Sequence, residues 1–309
     1  MTILYLTSSG EDYLQDQILL GLREVLADQV LDHPRKSVLY QNCKVPAQKL
    51  YGRGFTIWKF LRDIQVNRND VDQRIKAGEF NTLIFGNIWR QRNEFQRFRS
   101  RRYLRHHFHQ VAFLDGEDHN HTYLPALPYG LYFKREFGKI IRFPRCRRIN
   151  FSIPEVKIRP QPIQKDQLFA KHCQCEEAYK LAQIQEHCQR SYLFEEEDHY
   201  YLDLARSHYA VTMKKQGWEC MRHYEIAANH TVPCFYQLDH KPRWSAPHGL
   251  VDRRNVLSFN SANELKDKIN EVRRSELYPE LQQQAFQWAA KNSCRQVATN
   301  FLNQLSSNE

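Results

Sequence analysis

Short apolar runs alternate with amphipathic stretches through the first half of this chain, and that alternation leaves few folds open. Residues 2–6, 82–85 and 110–114 are apolar runs of strand length, each closed by glycine or polar residues. Residues 13–26 carry Leu14, Ile18, Leu22, Val25 and Leu26 at helical spacing, with Asp12 placed to cap the first turn. Further elements are expected as a strand at 37–40, a helix over 70–77 ending near Gly78, and a helix over about 92–107. Strands that are apolar throughout are buried on both faces, and strands separated by helices pair in parallel. The expected class is therefore α/β, with parallel sheets covered by helices.

The chain has 309 residues, enough for two domains of ordinary size. Pro144, Pro154, Pro160 and Pro162 interrupt regular structure and mark a crossover, with 149–154 read as a linker strand. Two Rossmann-like domains are expected, 1–148 and 149–309. The second should contain a helical stretch over 175–188, strands at 209–213 and 232–235, and helices over 219–228 and 262–273. A last long helix over 279–305, apolar at Leu281, Ala285, Trp288, Ala289, Val297, Phe301 and Leu305, should pack back across the domain interface.

Open parallel sheets hold ligands beyond the carboxyl ends of their strands. Three such ends are polar here: Ser8-Ser9-Gly10-Glu11-Asp12, Gly86-Asn87-Ile88-Trp89-Arg90 and Asp115-Gly116-Glu117-Asp118-His119. Each alone reads as a solvated loop; together they should converge on one sheet edge and form a cleft. Glu117, Asp118 and His119, with Glu11 and Asp12 next, are the candidate acid–base groups. The run from Asp115 to His121 is alternatively a divalent-metal loop.

The net charge of +10 asks for an anionic partner: a nucleotide diphosphate, an acidic lipid headgroup or a nucleic acid. Arg90, Arg92, Arg97, Arg99, Arg101, Arg102 and Arg105 are interleaved with Phe95, Phe98, Tyr103 and Phe108. This is the pattern of a buried aromatic stripe beneath a solvated basic face, and the face offers a surface for nucleic acid or an acidic membrane. The N-terminus lacks a basic region ahead of an apolar one, so a cytoplasmic protein is expected, peripheral at the inner membrane face if the basic surface binds lipid. Its eight cysteines should then be reduced. Cys173 and Cys175, with His172, His187 and Cys188, lack the Cys-x2-Cys spacing of a zinc knuckle, so packing on a helix face is expected in place of metal.

The strongest constellation spans Arg206 to Phe235. A strand runs into a basic loop with Lys214, Lys215 and Gly217, and a helix follows at once. Free N–H groups at a helix start, with the helix dipole, form a phosphate site. Arg222, Glu225 and Asn229 fall on one face of that helix. An arginine there suits a diphosphate, and a glutamate suits the two hydroxyls of a ribose.

The segment Arg222-His223-Tyr224-Glu225-Ile226-Ala227-Ala228-Asn229-His230-Thr231-Val232-Pro233 resembles the R-x-x-E, small-residue, G-x-x-P core of GT-B-type glycosyltransferases. Within that class it is most similar to the bacterial spore-coat glycosyltransferase-like (glycosyl transferases group 1-like) family, and the resemblance extends over about 190–305. It implies a sugar donor activated by a nucleotide diphosphate, bound as substrate in a cleft between the domains, with no cofactor and no metal. The donor site would comprise Lys214, Lys215, Gly217, Trp218, Arg222, His223 and Glu225, with His248 and Gly249 in the loop Ser245-Ala246-Pro247-His248-Gly249-Leu250. The acceptor, a glycan, a lipid-linked sugar or a protein, would meet the first domain. In an inverting reaction Glu117, Asp118, His119 or Glu11 would supply the base; a retaining reaction needs none. The chain has His230 where the family has glycine, and Asn229 is expected to absorb a left-handed turn. Two alternatives carry the same features: a glycosyltransferase acting on DNA through the basic face, and a non-catalytic binding protein of the same fold.

Overall fold

The computed structural model describes residues 2–62, 66–138 and 143–307. It divides into two compact units, Met1–Pro154 with Ser293–Glu309, and Glu155–Asn292. In the first unit the chain runs β1 (Ile3–Leu6), α1 (Tyr13–Leu26), β2 (Val30–His33), α2 (Val71–Lys76), β3 (Thr82–Phe85), α3 (Arg92–Phe98), α4 (Arg101–His107), β4 (Gln110–Asp115), β5 (Leu131–Lys134) and β6 (Cys146–Arg148). The strands form one sheet in the order β2-β1-β3-β4-β5-β6, parallel throughout. In β1 and β3 every residue is buried, which is why these runs are apolar without alternation.

The second unit contains β7 (Gln167–Phe169), α5 (Ala182–His187), α6 (Glu197–Arg206), β8 (Ser207–Met213), α7 (Met221–Ala228), β9 (Val232–Tyr236), β10 (Leu257–Phe259), α8 (Ala262–Arg274) and α9 (Tyr278–Lys291). Its sheet is also parallel, in the order β10-β9-β8-β7. The last helix, α10 (Cys294–Ser306), belongs to the first unit. The class is α/β with two parallel sheets, as the sequence predicts.

Five local expectations are corrected. Residues 37–40 are not a strand: Ser37–Leu39 is a 3-10 turn, because the Lys36 backbone N–H is held by the Asp32 carboxylate (2.9 Å) and the chain curls there. The helix expected over 92–107 is two, since Ser100 takes an extended backbone and caps a new start by accepting from Tyr103 N (3.2 Å). The helix expected over 279–305 is likewise α9 and α10, broken where Ser293 caps Gln296 N (3.2 Å). In both places a serine outcompetes an uninterrupted apolar stripe. The stretch 175–188 holds only a 3-10 turn, Ala178–Lys180, and the short α5. Residues 149–154 form no strand, contributing a single bridge between Ile153 and Ser293.

Asp12 caps α1 as expected, its carboxylate accepting from Gln15 N at 3.0 Å. α1 is buried nearly all round, because α10 covers one face while Gln15, Asp16 and Gln17 are enclosed as well. The two helices touch at Gly21, where a Cβ would stand 2.1 Å from the Cys294 carbonyl oxygen and 2.8 Å from Ala298 Cβ. Gly21→Ala is therefore expected to destabilise the protein by about 2–3 kcal/mol, despite the better helix propensity of alanine. Urea unfolding monitored by tryptophan fluorescence measures it, and an unchanged midpoint would contradict this packing.

Candidate functional site

In the first sheet the strand order reverses between β1 and β3, because β1 leads through α1 to one side and β3 begins the other. A crevice opens outside the carboxyl ends at such a point. The three polar strand ends do meet there. Asn87 Nδ2 donates to Asp12 Oδ2 (2.6 Å) and to Glu117 Oε1 (2.8 Å), so one side-chain amide ties all three loops. Arg90 adds a second tie, from Nε to Glu117 Oε1 (3.2 Å) and from Nη1 to the Glu11 carbonyl (2.8 Å). Gly86 lets β3 end this close to β1, since a Cβ there would lie 2.8 Å from the Leu6 carbonyl oxygen.

Beneath these loops lie buried charges of both signs. Asp115 is fully buried and its Oδ2 accepts from Lys134 Nζ (2.8 Å), Tyr132 Oη (2.6 Å) and Trp89 Nε1 (3.1 Å). Burial pushes the Lys134 ammonium down and Asp115 opposes it. Lys134 also donates to the His119 carbonyl (3.0 Å), anchoring the loop that carries Glu117 and Asp118. Asp16 is buried against Lys36 (3.1 Å) and accepts from Trp58 Nε1 (2.8 Å); burial raises its pKa and Lys36 opposes. Lys36 reaches on to the Ser8 carbonyl (2.9 Å) and that of Gly10.

Among the predicted acid–base residues, Glu117 and the Glu11 backbone thus gather around Arg90. Asp118 is exposed and paired with Arg135, whose guanidinium lies over the Phe151 ring at 4.3 Å. His119 sits edge-on to Trp89 (4.8 Å), and its Nδ1 is buried without a hydrogen-bond partner among the described residues. Sequence reasoning missed Asp16, Lys36, Lys134 and Arg135. Lys134 had a signal, a lysine closing the apolar run Leu131-Tyr132-Phe133.

In the second unit the basic loop follows β8 and leads into α7. Lys214 Nζ lies over the Trp218 ring at 5.0 Å, Lys215 Nζ donates to the Gln174 side chain, and Gly217 accepts from Lys215 N (3.0 Å). Trp218 and Leu250 pack on one small cluster with Phe235, Leu238 and Val256, so this loop, the end of β9 and the His248–Gly249 loop come together. The His248 carbonyl accepts from Trp288 Nε1 (2.8 Å). Gly249 has φ of +84° against the Trp288 ring, and a Cβ there would approach Cδ1 to 3.3 Å. Trp288 in turn stacks on Tyr224 of α7 at 4.6 Å.

Arg222 and Glu225 share a face as their spacing requires, and that face is turned inward. Arg222 donates from Nε to the Val211 carbonyl (3.1 Å), from Nη1 to Tyr200 Oη (3.2 Å) and from Nη2 to the His172 carbonyl (2.5 Å). Tyr200 Oη donates to Glu225 Oε2 (2.6 Å), so the tyrosine bridges arginine and glutamate. Asn229 Nδ2 reaches the Glu225 carbonyl (2.8 Å). Tyr200, which no motif marked, is thus central to the arrangement.

No family model matches the sequence, and neither does any curated protein. Solved structures do match. Anabaena HepE in complex with UDP aligns over 99% of this chain and 100% of its own, with a TM-score of 0.61 at 9% identity. The same protein with UDP-glucose gives 0.57 at 11%, again over 99% and 100%. A glycosyltransferase from Rickettsia africae gives 0.59 at 9%, over 99% of this chain and 98% of that one. The fold is that of the GT-B glycosyltransferases. The likeness singles out no finer family within that fold, the spore-coat group included.

Within this GT-B-type chain His230 itself takes the left-handed position, at φ +54°, and Asn229 does not. The strain is offset by a stack on Phe286 (4.0 Å) and by contacts from His230 Nε2 to the Arg159 carbonyl (2.9 Å) and from Gln282 Nε2 to the His230 carbonyl (2.7 Å). His230 precedes β9 and so lies at the opposite end of α7 from the basic loop. Cys173, Cys175 and Cys188 are buried in the core of the second unit, where burial pushes the Cys173 thiol up to about 11 and that of Cys188 to about 12. Among the described residues no group of three or more His, Cys, Asp or Glu is arranged to hold a metal ion, and no helix is long and apolar enough to cross a membrane.

His223, on the other side of α7, is fully buried between Thr212 Oγ1 (2.8 Å from Nδ1) and the Trp218 carbonyl (3.1 Å from Nε2). A carbonyl only accepts, so Nε2 carries the proton and Nδ1 accepts from the threonine. Burial lowers its pKa from 6.5 to about 4. The neutral ring is therefore the folded form, and its contribution is full above the unfolded pKa and lost as pH falls through about 6.5 toward 4. The loss is on the order of 3 kcal/mol. His223→Gln, which stays neutral, is expected to flatten that part of the stability–pH curve in urea unfolding between pH 7 and 4; an equally steep curve would exclude His223 as a source.

Proposed function

We propose that this protein transfers a sugar from a nucleotide-diphosphate donor to a glycan, lipid-linked or protein acceptor, with no metal and no other cofactor. The observation that carries the reading is the loop of Lys214, Lys215, Gly217 and Trp218 at the start of α7. It places exposed positive charge beside a helix N-terminus, outside the carboxyl ends of β8 and β9. The likeness to HepE, solved with UDP and with UDP-glucose, supports a donor of that chemical class.

In this reading Lys214 and Lys215 meet the diphosphate and stabilise the charge that grows on it as the glycosidic bond breaks. Trp218, His248 and Gly249 border the nucleotide. Arg222, His223 and Glu225 complete the donor site from beneath: with Tyr200 they hold the first turn of α7 against β8, so that its N–H groups stay aimed at the phosphate. The acceptor hydroxyl would be deprotonated in the strand-end crevice of the first unit. Glu117, Asp118, His119 and Glu11 are the candidates there, and His119, whose carbonyl is anchored by Lys134, is taken as the base.

A thermal-shift panel of UDP, UDP-glucose and other nucleotide sugars tests the donor half, because a ligand bound only by the native state raises Tm by mass action. Lys214→Ala/Lys215→Ala is expected to weaken the stabilising ligand about tenfold with the unliganded Tm unchanged. His119→Gln should keep donor binding while transfer, followed by release of nucleotide diphosphate, falls about a hundredfold. Silence across the whole panel would overturn the proposal.

A further inference from the structure

At the opposite edge of the first sheet, the amino-terminal ends of β4 and β5 open onto a cavity of about 340 Å³. It is separated from the strand-end crevice by the length of β4, roughly 15 Å. Its floor is apolar and buried, formed by Leu104, Phe108, Val111 and Leu131. Its rim is cationic. Arg101 and Arg105 stand one turn apart on α4, Arg145 comes from the turn before β6, and His109 lies between helix and strand. Among the described residues no aspartate or glutamate lines it.

Two further observations separate these arginines from a diffuse basic surface. The first is pairing. Arg90 is engaged by Glu117, and Arg97 by Glu94 (2.8 Å), whereas Arg101, Arg105 and Arg145, like Arg92, Arg99 and Arg102, meet no carboxylate among the described residues, and of these six only the first three line the cavity. The second is preorganisation. The segment 128–130 holds two of them from one side: the Pro128 carbonyl accepts from Arg145 Nη1 (3.0 Å), and Arg101 lies over the Tyr129 ring at 5.6 Å. Gly130 lets that segment press on the start of β4, since a Cβ there would stand 2.2 Å from the Val111 carbonyl oxygen. Unneutralised guanidinium groups converging on a concave site suit a compact tetrahedral anion, which they bind through paired N–H donors. A duplex would need an extended cationic track instead.

We infer that the cavity rimmed by Arg101, Arg105 and Arg145 is a binding site for a phosphate ester, separate from the donor and acceptor sites. The ester is either a free phosphorylated small molecule or the headgroup of an anionic phospholipid, and the chemistry recognised is the same. The experiment uses the full chain with two probes: soluble glycerol 3-phosphate, measured calorimetrically, and vesicles of phosphatidylcholine with or without phosphatidylglycerol, measured by co-sedimentation. Binding of the soluble ester alone supports the site with a free ligand. Binding of the phosphatidylglycerol vesicles, competed by glycerol 3-phosphate, supports it with a headgroup.

In either case Arg101→Ala/Arg105→Ala should weaken binding about tenfold or more. Arg102→Ala removes a neighbouring charge that does not line the cavity and should change it less than about twofold. Circular dichroism and an unchanged donor thermal shift show that the variants are folded. The inference is overturned if neither probe binds, if Arg102→Ala costs as much per charge as the double variant, or if duplex DNA binds in preference to both probes.

Discussion

Parallel pairing is the constraint on which the rest of this protein depends. Two parallel neighbours cannot be joined by a hairpin, so each strand must return over a face of the sheet before the next begins. All strands of a unit therefore point one way, and every loop leaving a carboxyl end emerges on the same edge. Asp12, Asn87 and Glu117 are far apart in sequence and share hydrogen bonds for that reason alone. The basic loop after β8 and the end of β9 are neighbours in the second unit by the same rule.

Such convergence would be costly if the loops had to find their own partners. Buried ion pairs supply them. Asp115–Lys134 and Asp16–Lys36 are desolvated on both sides, so their attraction is partly spent on leaving water. Each lysine compensates by also donating to loop carbonyls, Lys134 to His119 and Lys36 to Ser8 and Gly10. Their net effect is less on stability than on position, because a buried ammonium tolerates few geometries for the oxygens around it. The loops that carry Glu11, Glu117 and His119 are thereby set by groups that the solvent never reaches.

The two edges of the first sheet carry different electrostatics. At the carboxyl edge arginines are matched by carboxylates: Arg90 with Glu117, Arg135 with Asp118. At the amino edge Arg101, Arg105 and Arg145 meet no carboxylate among the described residues. Arginines that look uniform in sequence are thus put by the fold into different surroundings, Arg90 among carboxylates and Arg101 and Arg105 at the cavity. The serine at position 100, by ending α3 and starting α4, puts Arg101 and Arg105 on a separate helix beside the cavity.

Much of the framework was legible from the residues alone. The runs at 2–6, 82–85 and 110–114, the Asp12 cap and the strand–loop–helix–strand order around Lys214 follow from burial and local capping, which depend on near neighbours. β2, β5, β6, β7 and β10 were not read, nor the breaks at Ser100 and Ser293, because a short strand or a cap competes with a longer periodic pattern and only tertiary contact decides between them. The spacing of Arg222 and Glu225 determined that they share a helix face. Which way the face points was decided by Tyr200, brought there from another helix. Likewise, the sequence by itself determined that polar groups would sit at strand ends. That Lys36 and Lys134 would lie beneath them required the sheet, since a buried charge is stable only where distant segments bring it a counter-charge.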